Sequence, residues 1–217
     1  MSKIDDCFNY FYELFPEAKT ELNFSTPFET IVAVILSAQC TDKRVNEVTK
    51  VLFKKYNTPK DFANLKQKDL EKMIYSLGFY HNKAKNIIKM SNQLLENYEG
   101  ELPTTAEELQ KLAGVGKKTA NVVASIIFDE KVMGVDTHIF RILNRLGLVN
   151  EKTPNKTADV FMKKYSKYSN HDAHYRMVLF GRYHCTSRNP KCDNCKLNSV
   201  CKYFKQKTKK EQKNVCR

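Results

Sequence analysis

Glycine and proline are scarce in this chain, seven and six among 217 residues. That scarcity excludes a collagen-like or linker-dominated protein. Long apolar runs are missing as well. The longest, Ile31 to Leu36, is far short of the roughly 20 residues a membrane helix needs. The N-terminal stretch from Met1 to Cys7 has neither the apolar core nor the cleavage site of a signal peptide. No segment alternates apolar and polar residues as a half-buried strand would, and no fixed-period repeat or low-complexity block occurs. Acidic residues are in short supply, 24 against 37 Lys and Arg, for a net charge of +13.

What is present fits an ordinary globular chain: 41% hydrophobic and 28% charged residues, enough for one large domain or two small interlocked ones. A compartment that keeps thiols reduced is expected, cytoplasmic if bacterial, with nuclear or organellar placement open; there, seven cysteines point to metal binding before disulfides. The positive charge is uneven. From Arg182 onward eleven basic residues face two acids, Asp193 and Glu211, which supplies nine of the thirteen excess charges. A polyanion such as nucleic acid is the natural partner. A merely solubilising tail is the competing explanation.

The apolar periodicity is helical nearly throughout, so the fold class is all-α. Phe28–Ala38 is apolar almost all round, as in a buried central helix. Asp42 is placed to cap a helix carrying Val45, Val48, Leu52 and Tyr56. Thr58-Pro59 is a cap followed by proline at the first helical position. Leu70, Ile74 and Leu77 repeat at helical spacing up to Gly78. A helix over 82–97 directs Ala84, Ile87, Ile88, Ser91, Leu94 and Leu95 inward. Thr105 and Glu108 match a capping box. Further helices are expected over 118–128, 137–146, 154–165 and 171–181.

Two local patterns carry chemistry. In Leu112-Ala-Gly114-Val115-Gly116-Lys117-Lys118-Thr119-Ala-Asn121, two glycines permit a tight chain reversal between helices. They also leave open the amides that start the second helix, a site suited to a DNA phosphate. A simple tight turn between two helices would look the same. Cys185-x6-Cys192-x2-Cys195-x5-Cys201 gathers four thiols within seventeen residues. Spacing alone does not separate tetrahedral zinc from an iron–sulfur cluster. Cys7, Cys40 and Cys216 fall outside this pattern and are expected to be ordinary thiols. Lys118, beside Lys117 at a positive helix end, sits where the ammonium form is disfavoured, although a lysine there more often just touches phosphate. Asp136 precedes a periodic helix and suits an N-cap.

The hairpin run, followed by Val135-Asp136-Thr137-His138, resembles the helix-hairpin-helix DNA glycosylase superfamily, and its endonuclease III branch in particular. Glu21-Leu-Asn-Phe24, Leu36-Ser-Ala-Gln-Cys-Thr-Asp42, Asn82-Lys-Ala-Lys-Asn-Ile-Ile88 and Gly181-Arg-Tyr-His-Cys185 agree, so the likeness spans nearly the whole chain. The resemblance implies a two-lobed protein with a DNA cleft between the lobes. One lobe is a helical domain over 20–130 with the hairpin at about 105–127. The other combines 1–19 with 131–217, including a cluster loop at 185–201 and a basic tail at 205–217, for which disorder is expected. It implies a [4Fe–4S] cluster on Cys185, Cys192, Cys195 and Cys201, with Arg188 and Lys191 of its loop meeting phosphate.

The resemblance further implies a bifunctional enzyme, a base-excision glycosylase for oxidised pyrimidines that is also an abasic-site lyase. Lys118 would attack the sugar, assisted by Asp136; mismatch adenine glycosylases of the superfamily lack a lysine at this place. Gln39 would fill the gap left by the flipped nucleotide, and Phe79 would wedge against the opposite strand. Gly114, Val115, Gly116, Lys117 and Thr119 would hold the backbone of damaged double-stranded DNA; His138 is either near the site or packing. Relatives often carry proline before the first hairpin glycine. Ala113 stands there, and a slightly looser turn is expected. A monomer without membrane attachment is expected. The rivals are a monofunctional glycosylase for another lesion, a non-catalytic hairpin module, and a ferredoxin-like carrier that would leave the hairpin unexplained.

Overall fold

A computed structural model describes residues 2–215, with side chains through residue 212. Cys216 therefore lies outside the described residues. Every regular element among them is helical: twelve α-helices, one 3-10 turn and one π turn. The chain separates into two compact units, residues 20–130 and the N-terminal residues to Lys19 joined with everything from Lys131 onward.

In the unit of residues 20–130, helix α2 (Pro27–Ser37) is the hub. Ile31, Val32, Ala33 and Leu36 are fully buried, consistent with its apolar circumference. It packs on α3 (Asp42–Leu52), α6 (Tyr80–Asn97) and α8 (Lys117–Ile127). The short helices α4 (Pro59–Ala63) and α5 (Gln67–Ile74) lean on α6, and α7 (Ala106–Leu109) leans on α8. Phe28 and Phe62 meet edge to face at 5.4 Å, and Phe62 is fully buried; each such ring contributes about 1.5–3 kcal/mol of burial.

Caps explain where the helices begin. Thr26 and Thr58 each accept an amide hydrogen bond and are each followed by proline at the first helical position. The cap of α3 is Thr41, not Asp42: the Thr41 hydroxyl accepts from Arg44 N–H at 3.3 Å, and Asp42 becomes the first helical residue. At Thr105 only half of the expected capping box forms. Its hydroxyl accepts from Glu108 N–H at 3.2 Å, while the Glu108 carboxylate accepts from Tyr98 and Lys111. On α6, Leu95 is exposed instead of inward, and Lys83 and Met90 take buried places on the inner face.

The other unit has its own core. Helix α1 (Lys3–Leu14) brings Phe8 and Phe11 against Tyr168 and Phe180. α9 (Thr137–Leu146) buries Ile139, Ile142, Leu143 and Leu146; α10 (Pro154–Lys164) and α11 (His171–Leu179) pack on it. A π turn at Phe180–His184 follows α11.

As far as Val215 the basic tail is helical instead of disordered: α12 covers Lys202–Val215. It is seated on α9. Gly147 ends α9 at φ +75°, and a Cβ there would lie 3.0 Å from Lys202 Cβ. The Arg145 guanidinium stacks over Tyr203 at 4.5 Å, and Lys202 Nζ donates to Asn150 Oδ1 at 2.9 Å. These anchors hold the first turn of a polar helix that composition alone would leave unfolded.

Candidate active site and cysteine centre

The hairpin turn is built from below by α6. Gly114 has φ +79°, and an added Cβ would stand 2.8 Å from Asn86 Cβ. Both the backbone and the close approach therefore require glycine. Gly116 is extended (φ −83°, ψ 171°) and meets nothing within 4 Å. It is the N-cap of α8, and no side chain caps that helix end. Val115 is buried, plugging the turn. Ala113 does not loosen it: its N–H donates to Gln93 Oε1 at 2.7 Å, and Gln93 Nε2 donates to Lys111 O at 3.3 Å. A proline would have removed the amide that Gln93 holds.

Lys117, Lys118 and Thr119 form the first turn of α8, with Lys118 exposed and its neighbours half-buried. First-turn amides, the positive helix end and two lysines together give this end the electrostatics that favour an anion.

Gln39 and Phe79 share an unusual backbone. Their φ angles are +56° and +59°, left-handed values that side-chain-bearing residues seldom adopt. Both are exposed, Phe79 at 62%, so core packing does not account for that ring. Gln39 lies past the end of α2, and Phe79 is the N-cap of α6.

In the other unit, Asp136 caps α9, its Oδ1 accepting from Ile139 N–H at 2.8 Å, and its side chain is half-buried. His138 is a packing residue here: a Cβ on Gly181 would lie 2.8 Å from His138 Cβ, so Gly181 lets the π turn press on α9. Arg141, one turn along, donates to Gly181 O at 2.6 Å and to Cys185 O at 3.2 Å.

Cys185, Cys192, Cys195 and Cys201 line one cavity of about 30 Å³ with Leu146, Phe180, Pro190 and Phe204. Among the described residues no three His, Cys, Asp or Glu converge as a single ion demands. Four cysteine side chains on one cavity are a donor set that zinc or an iron–sulfur cluster could use. Burial pushes the Cys195 thiol up to about 11 and raises Cys192 too, so a metal must displace those protons on binding. Arg145 Nη1 lies 3.5 Å from Cys185 Sγ and donates to Thr186 O at 2.6 Å, while Nη2 donates to Ser187 O at 2.8 Å. Arg188 and Lys191 in the loop are exposed. Cys7 is fully buried with its thiol pushed up to about 12, an inert core group.

Sequence reasoning missed Lys83, Gln93, Arg141 and Arg145. Their partners lie 18 or more residues away in the chain, so no local spacing signals them.

Comparison with known proteins agrees with this geometry. Residues 32–167 match the model of the HhH-GPD superfamily of base excision DNA repair proteins. The chain is 44% identical over 211 residues to endonuclease III of Bacillus subtilis, covering 97% of this chain and 96% of that protein. To endonuclease III of Escherichia coli K12 it is 41% identical, covering 87% and 89%. A trapped endonuclease III–DNA covalent intermediate superimposes with a TM-score of 0.88 at 42% identity, over 96% of this chain and 99% of that one. A thermostable thymine-DNA glycosylase at 20% identity shares the fold, with a TM-score of 0.85 over 94% and 97%. The chain belongs to the HhH-GPD superfamily of base excision DNA repair proteins and, within it, to the endonuclease III family.

Proposed function

We propose that this protein is a base excision repair DNA glycosylase with abasic-site lyase activity, acting on double-stranded DNA that carries oxidised pyrimidines. The observation that carries this reading is the exposed Lys118 on the first turn of α8, directly behind the uncapped Gly116. Phosphate held by the hairpin amides fixes the DNA backbone without reading sequence. The damaged nucleotide leaves the stack, because its glycosidic bond is unreachable inside it. Gln39 fills the vacated space and Phe79 wedges against the opposite strand.

Neutral Lys118 Nζ attacks C1′ and the C1′–N bond to the base breaks, the base leaving with the bond's electron pair and taking up a proton. Opening of the sugar gives a protonated Schiff base. Loss of a C2′ proton then expels the 3′ phosphate by β-elimination, and water releases the lysine. Asp136 contributes a carboxylate that accepts the amine proton or stabilises positive charge developing on the sugar. Its role as cap is compatible, since Oδ1 alone serves Ile139.

The four cysteines fit a [4Fe–4S] cluster, as their shared cavity supports. When bound, such a cluster would cross-link four points of the loop, and with every cysteine a ligand it leaves no open coordination position. Arg145, holding Thr186 and Ser187 by their carbonyls, shapes the loop that presents Arg188 and Lys191 to phosphate. No helix among the described residues is long and apolar enough to cross a membrane.

Borohydride trapping on a duplex with one abasic site tests the chemistry. Wild type and Lys117→Ala should give a covalent adduct and Lys118→Ala none. No adduct from folded, iron-replete wild type would refute the lyase and leave a monofunctional glycosylase or a binding module.

A further inference from the structure

Lys83 is 5% exposed, yet it is a lysine on the inner face of α6. Burying an ammonium is costly unless each N–H finds an acceptor. All three find one, and all lie in a single turn: Nζ donates to Leu36 O at 2.8 Å, to Ala38 O at 2.8 Å and to Cys40 Sγ at 3.3 Å. The two carbonyls belong to the end of α2, where the helix itself supplies no partners. Between the second and third acceptors sits Gln39, the exposed residue at φ +56°.

The backbone of the same lysine touches the other left-handed position. Lys83 N–H donates to Phe79 O at 3.0 Å, closing the first turn of α6 behind the exposed Phe79 at φ +59°. A left-handed conformation costs a side-chain-bearing residue roughly 1–2 kcal/mol, so neither turn is held by its own preference. Phe79 has no side-chain cap to help it. The amide bond is one that any residue but proline would make; it is the Lys83 side chain that ties the Gln39 turn to the helix whose first turn stands behind Phe79.

We propose that Lys83 is a positioning residue that locks Gln39 and Phe79 together as a single two-pronged tool for opening the base stack. It touches no substrate; it acts through those two side chains. The inference rests on the roles given to Gln39 and Phe79 above. Its content is that the two prongs are coupled, and that the coupling runs through one buried cation. In Lys83→Met the apolar side chain fills most of the same space but leaves the buried Leu36 carbonyl, and the more exposed Ala38 carbonyl, without the Nζ donor. The turn then relaxes, and the chemistry at Lys118 is left alone.

The test is a double-mutant cycle on kcat/KM with two substrates, the same oxidised pyrimidine in a closed duplex and in a three-base bubble where the stack is already open. Lys83→Met should lower kcat/KM about tenfold on the closed duplex, the scale of one unpaired buried polar group. On the bubble the loss should be about twofold or less. In a Gln39→Ala background the closed-duplex penalty of Lys83→Met should shrink to about threefold or less, because the prong it positions is gone. Equal losses on both substrates, or full additivity with Gln39→Ala, would show a merely structural lysine and overturn the proposal. If Lys83→Met does not fold, Lys83→Gln, which loses the cation and at least one of its three donors, takes its place in the cycle with the same criteria. Wild type inactive on both substrates would instead bring down the glycosylase reading, and this inference with it.

Discussion

The two hairpin glycines, one residue apart from each other in sequence, should respond oppositely to alanine. At Gly114 the cost has two parts. The backbone at φ +79° penalises any side-chain-bearing residue by roughly 1–2 kcal/mol. The new Cβ would also stand 2.8 Å from Asn86 Cβ, an atom fixed to the α6 backbone that cannot swing aside. Overpacking of that kind adds roughly 1–3 kcal/mol. Gly114→Ala should therefore destabilise the protein by about 2–5 kcal/mol. At roughly 2–4 °C per kcal/mol for a chain of this length, the drop in Tm is several degrees. At Gly116 the backbone is extended and the space is empty. Loss of a glycine N-cap and the gain from a less flexible unfolded chain nearly cancel, leaving about 0.5 kcal/mol or less. The added methyl does stand before the first-turn amides of α8, so duplex affinity should fall while Tm stays. Thermal unfolding and fluorescence anisotropy on a short duplex, run on both variants, separate the effects. A Gly116→Ala protein as unstable as Gly114→Ala, or a neutral Gly114→Ala, would refute this account of the turn.

Three further outcomes follow from the geometry. Asp136→Asn keeps an N-cap acceptor and should hold stability within about 0.5 kcal/mol while activity collapses; Asp136→Ala should lose activity and roughly 1 kcal/mol of stability as well. Parallel unfolding and trapping assays decide, and an active Asp136→Asn would make the residue a cap alone. Cys192→Ser should lower iron content and DNA affinity before it touches chemistry, measured as iron per chain and duplex binding; a stable, fully active, iron-free variant contradicts this. Asp5 is held at about 2, below its ordinary 3.8, by hydrogen bonds from Ser2 and Tyr168. A depressed carboxylate contributes stability that is present above pH 3.8 and lost as pH falls toward 2. Tyr168→Phe removes one of those donors and should flatten the fall in Tm across that window; an unchanged acid limb would rule out the link.

Helices with strong periodicity were legible in the sequence, and so were the caps at Thr58 and Asp136, because both signals are local. The sequence also marks the hairpin, since two glycines flanking one valine have few other uses. The errors have physical causes. Leu95 fits the inward spacing of α6, but the buried face passes through Lys83 and Met90 instead; periodicity gives a hydrophobic residue an inward place and a lysine an outward one. The tail looked disordered because its composition is polar. Two residues of its first turn, Lys202 and Tyr203, are anchored on Gly147, Asn150 and Arg145, contacts outside anything composition records. Ala113 looked like a weakness only while Gln93, 20 residues earlier, was out of view.

These long-range partners of residues 20–130 share one address. Phe79 opens α6; Lys83 holds the turn around Gln39; Asn86 lies under Gly114; Gln93 holds Lys111 and Ala113, which lead into the hairpin turn. They fall at intervals of four, three and seven residues, close to one stripe along the helix. A single straight element therefore sets the spacing between the stack-opening residues and the phosphate-holding turn. Of what it supports, Gln39 and Phe79 carry strained backbone, which persists only where surrounding structure over-determines it. That division explains why the exposed ends can be irregular while their separation stays fixed. It also predicts which damage spreads: a break in the middle of α6, such as Ile87→Pro, should abolish hairpin and wedge function together. A substitution confined to either loop should spare the other, which duplex affinity and base-opening measurements on the same variant would resolve.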